Sequence, residues 1–430
     1  MRAARRELAM NLEQLWAKGA VAGALAALAL PAPLGAQDIR PGLSVRDLPR
    51  PGYETGRWQA GNTTFLPVLT VQSVWTDNLF ATSTDPKSAV IFGINPRIDA
   101  ISRGRRLTLE TSAYANVALH SRYTTEDRVT FGLGTAGRRH LGQTGALKFG
   151  LRMDRGAQAR SDPEASPTLE RPALYNSFQV RLGAEGDAGP LRIGADGTIQ
   201  KVNYLASGES DPVERARLED QDLTSYQLPV RIGWRASPRL TVYVEPFVNR
   251  RDARLPVDRT GIDRDLTTWG AQAGAQLDIA DRWNGSLGIG AFRSNPDDPS
   301  ISGYSGFSMS GNLVWSPDPR TRVVFTGFSG DVATVRSGAT GRIDTRAGVR
   351  IEQEVRHNLL AFAGIGWQQT RYRGSNPDRL WSVPVEAEVE WLMSRTLSLF
   401  GTVRHENRRS DLASDRFKRT DIGVGIRVRT

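Results

Sequence analysis

Strict two-residue alternation is the feature that most limits how this chain can fold. In Leu223–Trp234, Leu228, Val230, Ile232 and Trp234 fall on one face while Arg231 and Gly233 fall on the other, the period of a β-strand. Arg235-Ala-Ser-Pro-Arg239 follows, with a proline and small polar residues suited to a tight reversal. Leu240–Arg250 then runs back with Leu240, Val242 and Val244 on one face. Both strands reach roughly ten residues, longer than the usual five or six of a globular sheet and close to what a tilted strand needs to cross a bilayer. The apolar face of such a hairpin cannot be left in water.

The same rule predicts strands over 65–75, 89–102, 107–119, 128–138, 146–157, 176–186, 191–204, 223–234, 239–250, 265–279, 283–292, 304–315, 321–329, 341–354, 358–370, 381–392, 395–408 and 417–430. The expected fold is all-β: a transmembrane antiparallel up-and-down barrel over 63–430, with about 18 strands, or 16, the weaker stretches 128–157 and 321–329 together leaving the count open by two and bacterial barrels having even counts. The connections alternate in length. Arg103–Arg106, Asp187–Pro190, Arg235–Arg239 and Met393–Arg395 are short, whereas Gln158–Tyr175 and Leu205–Asp222 are long and polar. Short periplasmic turns and long external loops are the pattern of an outer-membrane barrel. Trp234, Trp283, Trp315, Trp381 and Trp391 lie at or beside strand ends, where interface girdles form.

Composition closes off the alternatives. Hydrophobic residues make up 39% of 430 and the mean hydropathy is −0.39, too polar for a bundle of membrane helices. Beyond the N-terminus no run approaches the roughly 18 apolar residues of a spanning helix, so a membrane-crossing chain of this kind must use strands. There is no cysteine, which excludes disulfides, thiolate metal clusters and a thiol nucleophile. Residues 1–36 read as a cleaved signal peptide: Arg2, Arg5, Arg6 and Lys18 precede the apolar Gly19–Leu30, and Pro31–Ala36 supplies small residues before Gln37. Residues 37–62 lack alternation and are expected to be an irregular periplasmic segment.

Arg50-Pro-Gly-Tyr-Glu-Thr-Gly56, Phe65-Leu-Pro-Val-Leu-Thr-Val71, Thr76-Asp-Asn-Leu-Phe-Ala-Thr82, Asp85-Pro-Lys-Ser88 and Asn95-Pro96 together resemble the opening of the putative beta-barrel porin 2 family of Gram-negative outer-membrane proteins. The resemblance is sharp over 50–102 and rests on alternation and turns beyond it. It implies a channel-like barrel in the cell outer membrane, often associated with surface polysaccharide systems. The partners it implies are outer-membrane lipid and lipopolysaccharide, the barrel assembly machinery and polysaccharide secretion components. Barrels of this kind commonly end in an aromatic residue, whereas this chain ends Ile426-Arg-Val-Arg-Thr430.

Strand parity sorts the candidate functional residues. Arg181, Arg192, Arg231, Arg346 and Arg350 share the polar parity of their strands, and an arginine facing lipid near the midplane would cost roughly 2–4 kcal/mol, so they are expected to line the lumen. Glu386, Glu388 and Glu390 alternate with Val385, Ala387 and Val389 and are expected to point inward too, either as a cation strip or as a ladder neutralised by neighbours, with Arg404 diagonal to Glu386. For the arginines, salt bridges with Glu185, Asp196, Glu352 and Glu354 compete with solute binding as the role. Hydrolase or acyltransferase chemistry would need a catalytic set on one rim, but His120, His140, His357 and His405 fall at different levels. No phosphate loop, metal spacing, cofactor motif or nucleic-acid module is present, so no enzyme, cofactor or nucleic-acid role is expected. The net charge is +10, and removing a leader that holds four basic and two acidic residues leaves +8. Sorting that charge by position leaves a positive excess in the strands. The expected function is passage of a hydrophilic, anionic solute through a pore of weak anion preference, in the surface polysaccharide export that the resemblance implies, with a general diffusion porin and a closed structural or adhesive barrel as alternatives.

Overall fold

The computed structural model describes residues 44–430 apart from 49, 51, 55–57, 167, 206–210, 280–281, 337, 375–376 and 430. The expected signal peptide and residues 37–43 lie outside the described residues. The strands are β1 (Trp58–Ala60), β2 (Thr63–Thr76), β3 (Ala89–Arg103), β4 (Leu107–His120), β5 (Arg128–Leu141), β6 (Gly145–Ala157), β7 (Leu174–Ala188), β8 (Leu191–Leu205), β9 (Leu223–Ser237), β10 (Leu240–Ala253), β11 (Leu266–Ile279), β12 (Trp283–Pro296), β13 (Tyr304–Asp318), β14 (Thr321–Val332), β15 (Ala339–Arg356), β16 (Leu359–Gly374), β17 (Arg379–Leu392), β18 (Leu397–Ser410) and β19 (Phe417–Arg429). β1 is a short extension paired with the start of β2. The other eighteen pair antiparallel in sequence order, and β19 closes on β2 from Asp421↔Thr76 to Arg429↔Val68. Closure leaves no long strand edge in lipid, which is what allows strands to span a membrane at all.

Alternation gives the barrel its two faces. Outward-facing Leu228, Ile232 and Trp234 on β9 lie opposite Val248, Val244 and Val242 on β10, all 42–54% exposed. Arg231, Tyr243 and Glu245 on the reverse face are buried. Tryptophans mark both ends. Trp283 and Trp315 face each other across β12 and β13 at the short-turn end and stack with centroids 5.7 Å apart, and Trp234 and Trp391 lie at the same end. Trp75, Trp269 and Trp381 lie towards the long-loop end. Gly142 and Gly189 adopt positive φ in two of the short turns, a conformation that favours glycine over residues carrying a Cβ.

Three features depart from a plain tube. The helix α1 (Pro212–Glu219), capped by Asp211 accepting from the Val213 N–H at 2.8 Å, lies in the loop between β8 and β9. The β14–β15 hairpin leaves the wall: β13 pairs with β14 only as far as Met309↔Ser329, whereas β14 and β15 stay paired to Val332↔Arg342. Its freed tip leans into the barrel, so both faces are covered and Gly341, Arg342, Ile343 and Asp344 are all buried. Within the segment expected to be irregular, the described residues hold a 3-10 turn at Val45–Asp47, packed against Leu360 and Phe362, and the strand β1.

Candidate functional site

The inward face is built from arginines two residues away from an acid on the same strand, a spacing that puts both side chains on one face. Arg97–Asp99 (2.8 Å), Arg342–Asp344 (2.8 Å), Arg404–Glu406 (3.3 Å) and Arg419–Asp421 (2.8 Å) are such ion pairs, as is Arg152–Asp154. These Arg-x-Asp and Arg-x-Glu triplets are visible in the sequence, but parity alone places both members inward without pairing them.

At the short-turn end, which faces the periplasm in outer-membrane barrels, Ser44–Leu48 and Arg50 form a strap across the inner wall. The Ser44 hydroxyl and the Val45 N–H donate to Glu352 at 2.8 and 3.0 Å. Arg46 reaches Glu390 at 2.9 Å and also contacts Glu388, with its guanidinium 4.1 Å from the centroid of the Phe362 ring. Arg50 pairs with Glu354 at 3.1 Å and donates to the Leu48 carbonyl, closing the strap on itself. Val45 packs with Leu360, Phe362 and Leu48, and is fully buried. Glu390 also receives Arg427, Arg429 and the Ser398 hydroxyl at 2.6–2.7 Å. The acidic strip is therefore largely a seat for the strap. Sequence reading missed this because the strap has no periodicity and its partners lie over three hundred residues away.

At the other end the loop 158–173 turns inward from β6 and β7 and reaches β15, β16 and β18 across the barrel. Glu164 is its anchor: it accepts from Thr334 Oγ1 (2.9 Å), the Val335 N–H (3.1 Å) and the Tyr372 hydroxyl (2.9 Å), and Arg342 lies 3.5 Å away. Arg408 donates to the Ser161 carbonyl, and Arg160 pairs with Glu126 at 2.6 Å. Behind it, Leu169 and Ala173 pack with Val202, Tyr204 and Leu218 of α1, and Thr168 donates to Glu214 at 2.6 Å. Asp162 is buried beside Glu164, and burial pushes its carboxyl up to about 6. The leaning β14–β15 tip completes the closure. Ile343 packs on Phe247, Phe292 and Tyr304, and Arg251 of β10 pairs with Asp331 at 2.7 Å.

The expected lumen residues are not equivalent, and only some of them fall between these two closures. Arg181 pairs with Asp196 at 3.0 Å and is 25% exposed, Arg346 pairs with Asp344 at 2.8 Å and is 34% exposed, and Arg350 meets Glu352 and Glu386 at 3.5 and 3.4 Å and is 27% exposed. Arg181 stands on β7 and the other two on β15, nearly opposite in the strand order. Lys148 also reaches Asp196, at 3.4 Å. Arg231 is buried, held at 2.7 Å by Glu245 and 4.1 Å from the centroid of the Tyr243 ring, so it is wall structure. Arg192 pairs with Asp187 at 3.0 Å beside a short turn, away from the middle. Glu388 and Glu390 are sealed under the strap, which leaves Glu386 as the open member of the strip. The expected partner of Glu386 is corrected: Arg404 lies directly opposite in register but pairs with Glu406, and Arg350 takes Glu386. The histidines stay apart. His120 is bonded to Asp127 at 3.0 Å, His357 to Glu354 at 2.8 Å, and His405 faces outward against Thr420.

No curated protein matches the chain by sequence. Solved structures share its general shape at low identity. The FrpB iron transporter of Neisseria meningitidis in its apoprotein form is 9% identical with a TM-score of 0.45, covering 86% of this chain and 64% of its own length, so this chain spans just under two thirds of it. The outer membrane protein OpdK of Pseudomonas aeruginosa is 12% identical with a TM-score of 0.42, covering 85% and 99%. The copper transporter OprC is 8% identical with a TM-score of 0.47, covering 87% and 82%. The family described as Putative beta-barrel porin 2 matches residues 50–430. The closed eighteen-stranded barrel and that match over nearly the whole chain make one conclusion: this protein belongs to the putative beta-barrel porin 2 family of outer-membrane barrels.

Proposed function

We propose that the barrel is a narrowed channel for a small, hydrophilic, anionic solute. The observation that carries this reading is the partly exposed arginine set in mid-lumen, Arg181 opposite Arg346 and Arg350, set between two closures. Opposed guanidinium groups that keep some exposure attract anions in transit, and weak multi-site contact lets them leave. Glu386 beside Arg350 moderates the preference. Surface polysaccharide export, the context the family resemblance implies, requires loop 158–173 to leave its seat, because a polymer has to pass a contact made wall to wall.

Reversal potentials across a salt gradient in a planar bilayer test the reading. The unmodified protein should favour anions, and Arg181→Glu together with Arg350→Glu should shift the potential towards cations. A cation preference in the unmodified protein would give the pore to Glu386, and an absence of conductance would make the barrel a structural one. Exclusion of neutral polymers of graded size separates a small-solute path from one wide enough for a glycan.

A further inference from the structure

The outward face of β16–β19 near the long loops carries Arg371, Arg373, Arg379, Arg409 and Lys418, all exposed. Their parity is fixed by outward-facing neighbours on the same strands: Ile365 and Trp367 on β16, Val385 on β17, Val403 on β18, and Ile422 and Val424 on β19, each 39–59% exposed. The register draws the cations into one patch. Arg371 lies directly opposite Arg379, Arg409 opposite Trp381, and Lys418 opposite Asn407. The Arg409 guanidinium sits 4.9 Å from the centroid of the Trp381 ring, and Arg371 donates to Gln369 at 2.7 Å.

Among the described residues none of these five cations has an ion-pair partner, in a protein whose inward arginines are nearly all paired. Nearby acids are committed elsewhere. Asp378 and Asp415 turn to Arg336, and the Asp411 carboxylate takes the backbone N–H of Arg379 at 3.1 Å. Arg250 makes the contrast on another side of the same rim, where it is held by Asp252, Asp265 and Asp297 at 2.5–3.0 Å. Two arginines directly opposed across strands repel unless an anion sits between them. Directly along the strands lies the apolar band that meets lipid tails, so the anion that fits here is the head of an amphiphile. Guanidinium forks beside an indole at headgroup level match a phosphate in a bidentate way.

We propose that the outward patch Arg371, Arg373, Arg379, Arg409 and Lys418, with Trp381, is a binding site for a phosphate-bearing lipid of the membrane leaflet at the long-loop end. The site orients the barrel in an asymmetric bilayer and gives it one preferred lipid-facing side. It is independent of what the lumen passes.

The test uses the full barrel purified in neutral detergent, with diphosphorylated lipid A and the same lipid stripped of its phosphates as probes. The phosphorylated lipid should bind about tenfold or more tightly than the stripped one, with an affinity that falls as salt rises. Arg371→Gln, Arg379→Gln and Arg409→Gln combined should abolish that difference, and Arg250→Gln should keep it. Equal binding of the two lipids, or a triple variant that binds as the unmodified protein does, would overturn the proposal. Full displacement by millimolar inorganic phosphate would do the same by making free phosphate the ligand. If the triple variant loses heat-modifiable gel migration, Arg409→Gln alone and the phosphate dependence of the unmodified protein decide.

Discussion

The two mouths of the barrel are closed by different means. At the short-turn mouth a strap enters from one side, and most of its hold comes from Arg46 and Arg50 on wall carboxylates. At the long-loop mouth a segment tied to the wall at both ends is pinned through Glu164 and backed by α1 and an apolar cluster. The carboxylates under the strap have other partners, since Glu390 also holds Arg427 and Arg429. Around Glu164 the buried Val335 N–H has no second acceptor among the described residues. A closure that can leave without orphaning the wall is built to move, and one that cannot is built to stay.

The largest expected effect follows from that asymmetry. Arg46→Ala with Arg50→Ala should free the strap and raise single-channel conductance several-fold with little loss of barrel stability, and an unchanged conductance would mean the strap obstructs nothing. Glu164→Ala should act the other way round. Removing one partner of a buried charged network costs roughly 3–5 kcal/mol, to be read in urea unfolding from lipid vesicles, and the loop should become mobile.

The loop is also the pH-sensitive closure. Asp162 lies among Glu164, Arg342, Arg408, Tyr175 and Tyr204, with burial as the main cause of its raised carboxyl pKa. Its folded value of about 6 stands above the ordinary value of 3.8, so its contribution is complete below 3.8 and is lost as pH rises through about 6. That loss is on the order of 2–3 kcal/mol. The chain has no native cysteine, so Ser166→Cys offers a single thiol whose labelling rate reports the loop leaving its seat. The carboxylate should speed loop opening relative to Asp162→Asn at neutral pH, and the two proteins should converge in acid. Smallest of all, Thr168→Val removes the hydrogen bond to Glu214 and should cost about 1–2 kcal/mol, as expected for a bond to a charged group. If it costs as much as Glu164→Ala, α1 is a second anchor and not a backing.

Alternation made the barrel legible. Every expected strand is present, and Val242, Val244, Ile232 and Trp234 face the way parity places them. A period of two leaves no freedom once one face must meet lipid. The lumen was legible only as a list of inward charges. Parity puts Arg231 and Arg350 on the same side, but whether an arginine is sealed like Arg231 or open like Arg350 depends on the neighbouring strand's residues, Glu245 and Tyr243 in the first case. The strap was invisible because ion pairs between Arg46 and Glu390 leave no periodic trace. The leaning β14–β15 tip was invisible because it depends on where pairing with β13 stops, not on any residue of its own.

The strap also carries a statement about time. Its seat is made by Glu352 and Glu354 on β15, Phe362 on β16, and Glu388 and Glu390 on β17, so it does not exist until β17 has been laid beside β16. Residues synthesised before any strand thus wait for nearly the whole chain to find their place. A docked strap reports that the wall is formed as far as β17, and a chain assembled short of that point would display Arg46 and Arg50 unclaimed.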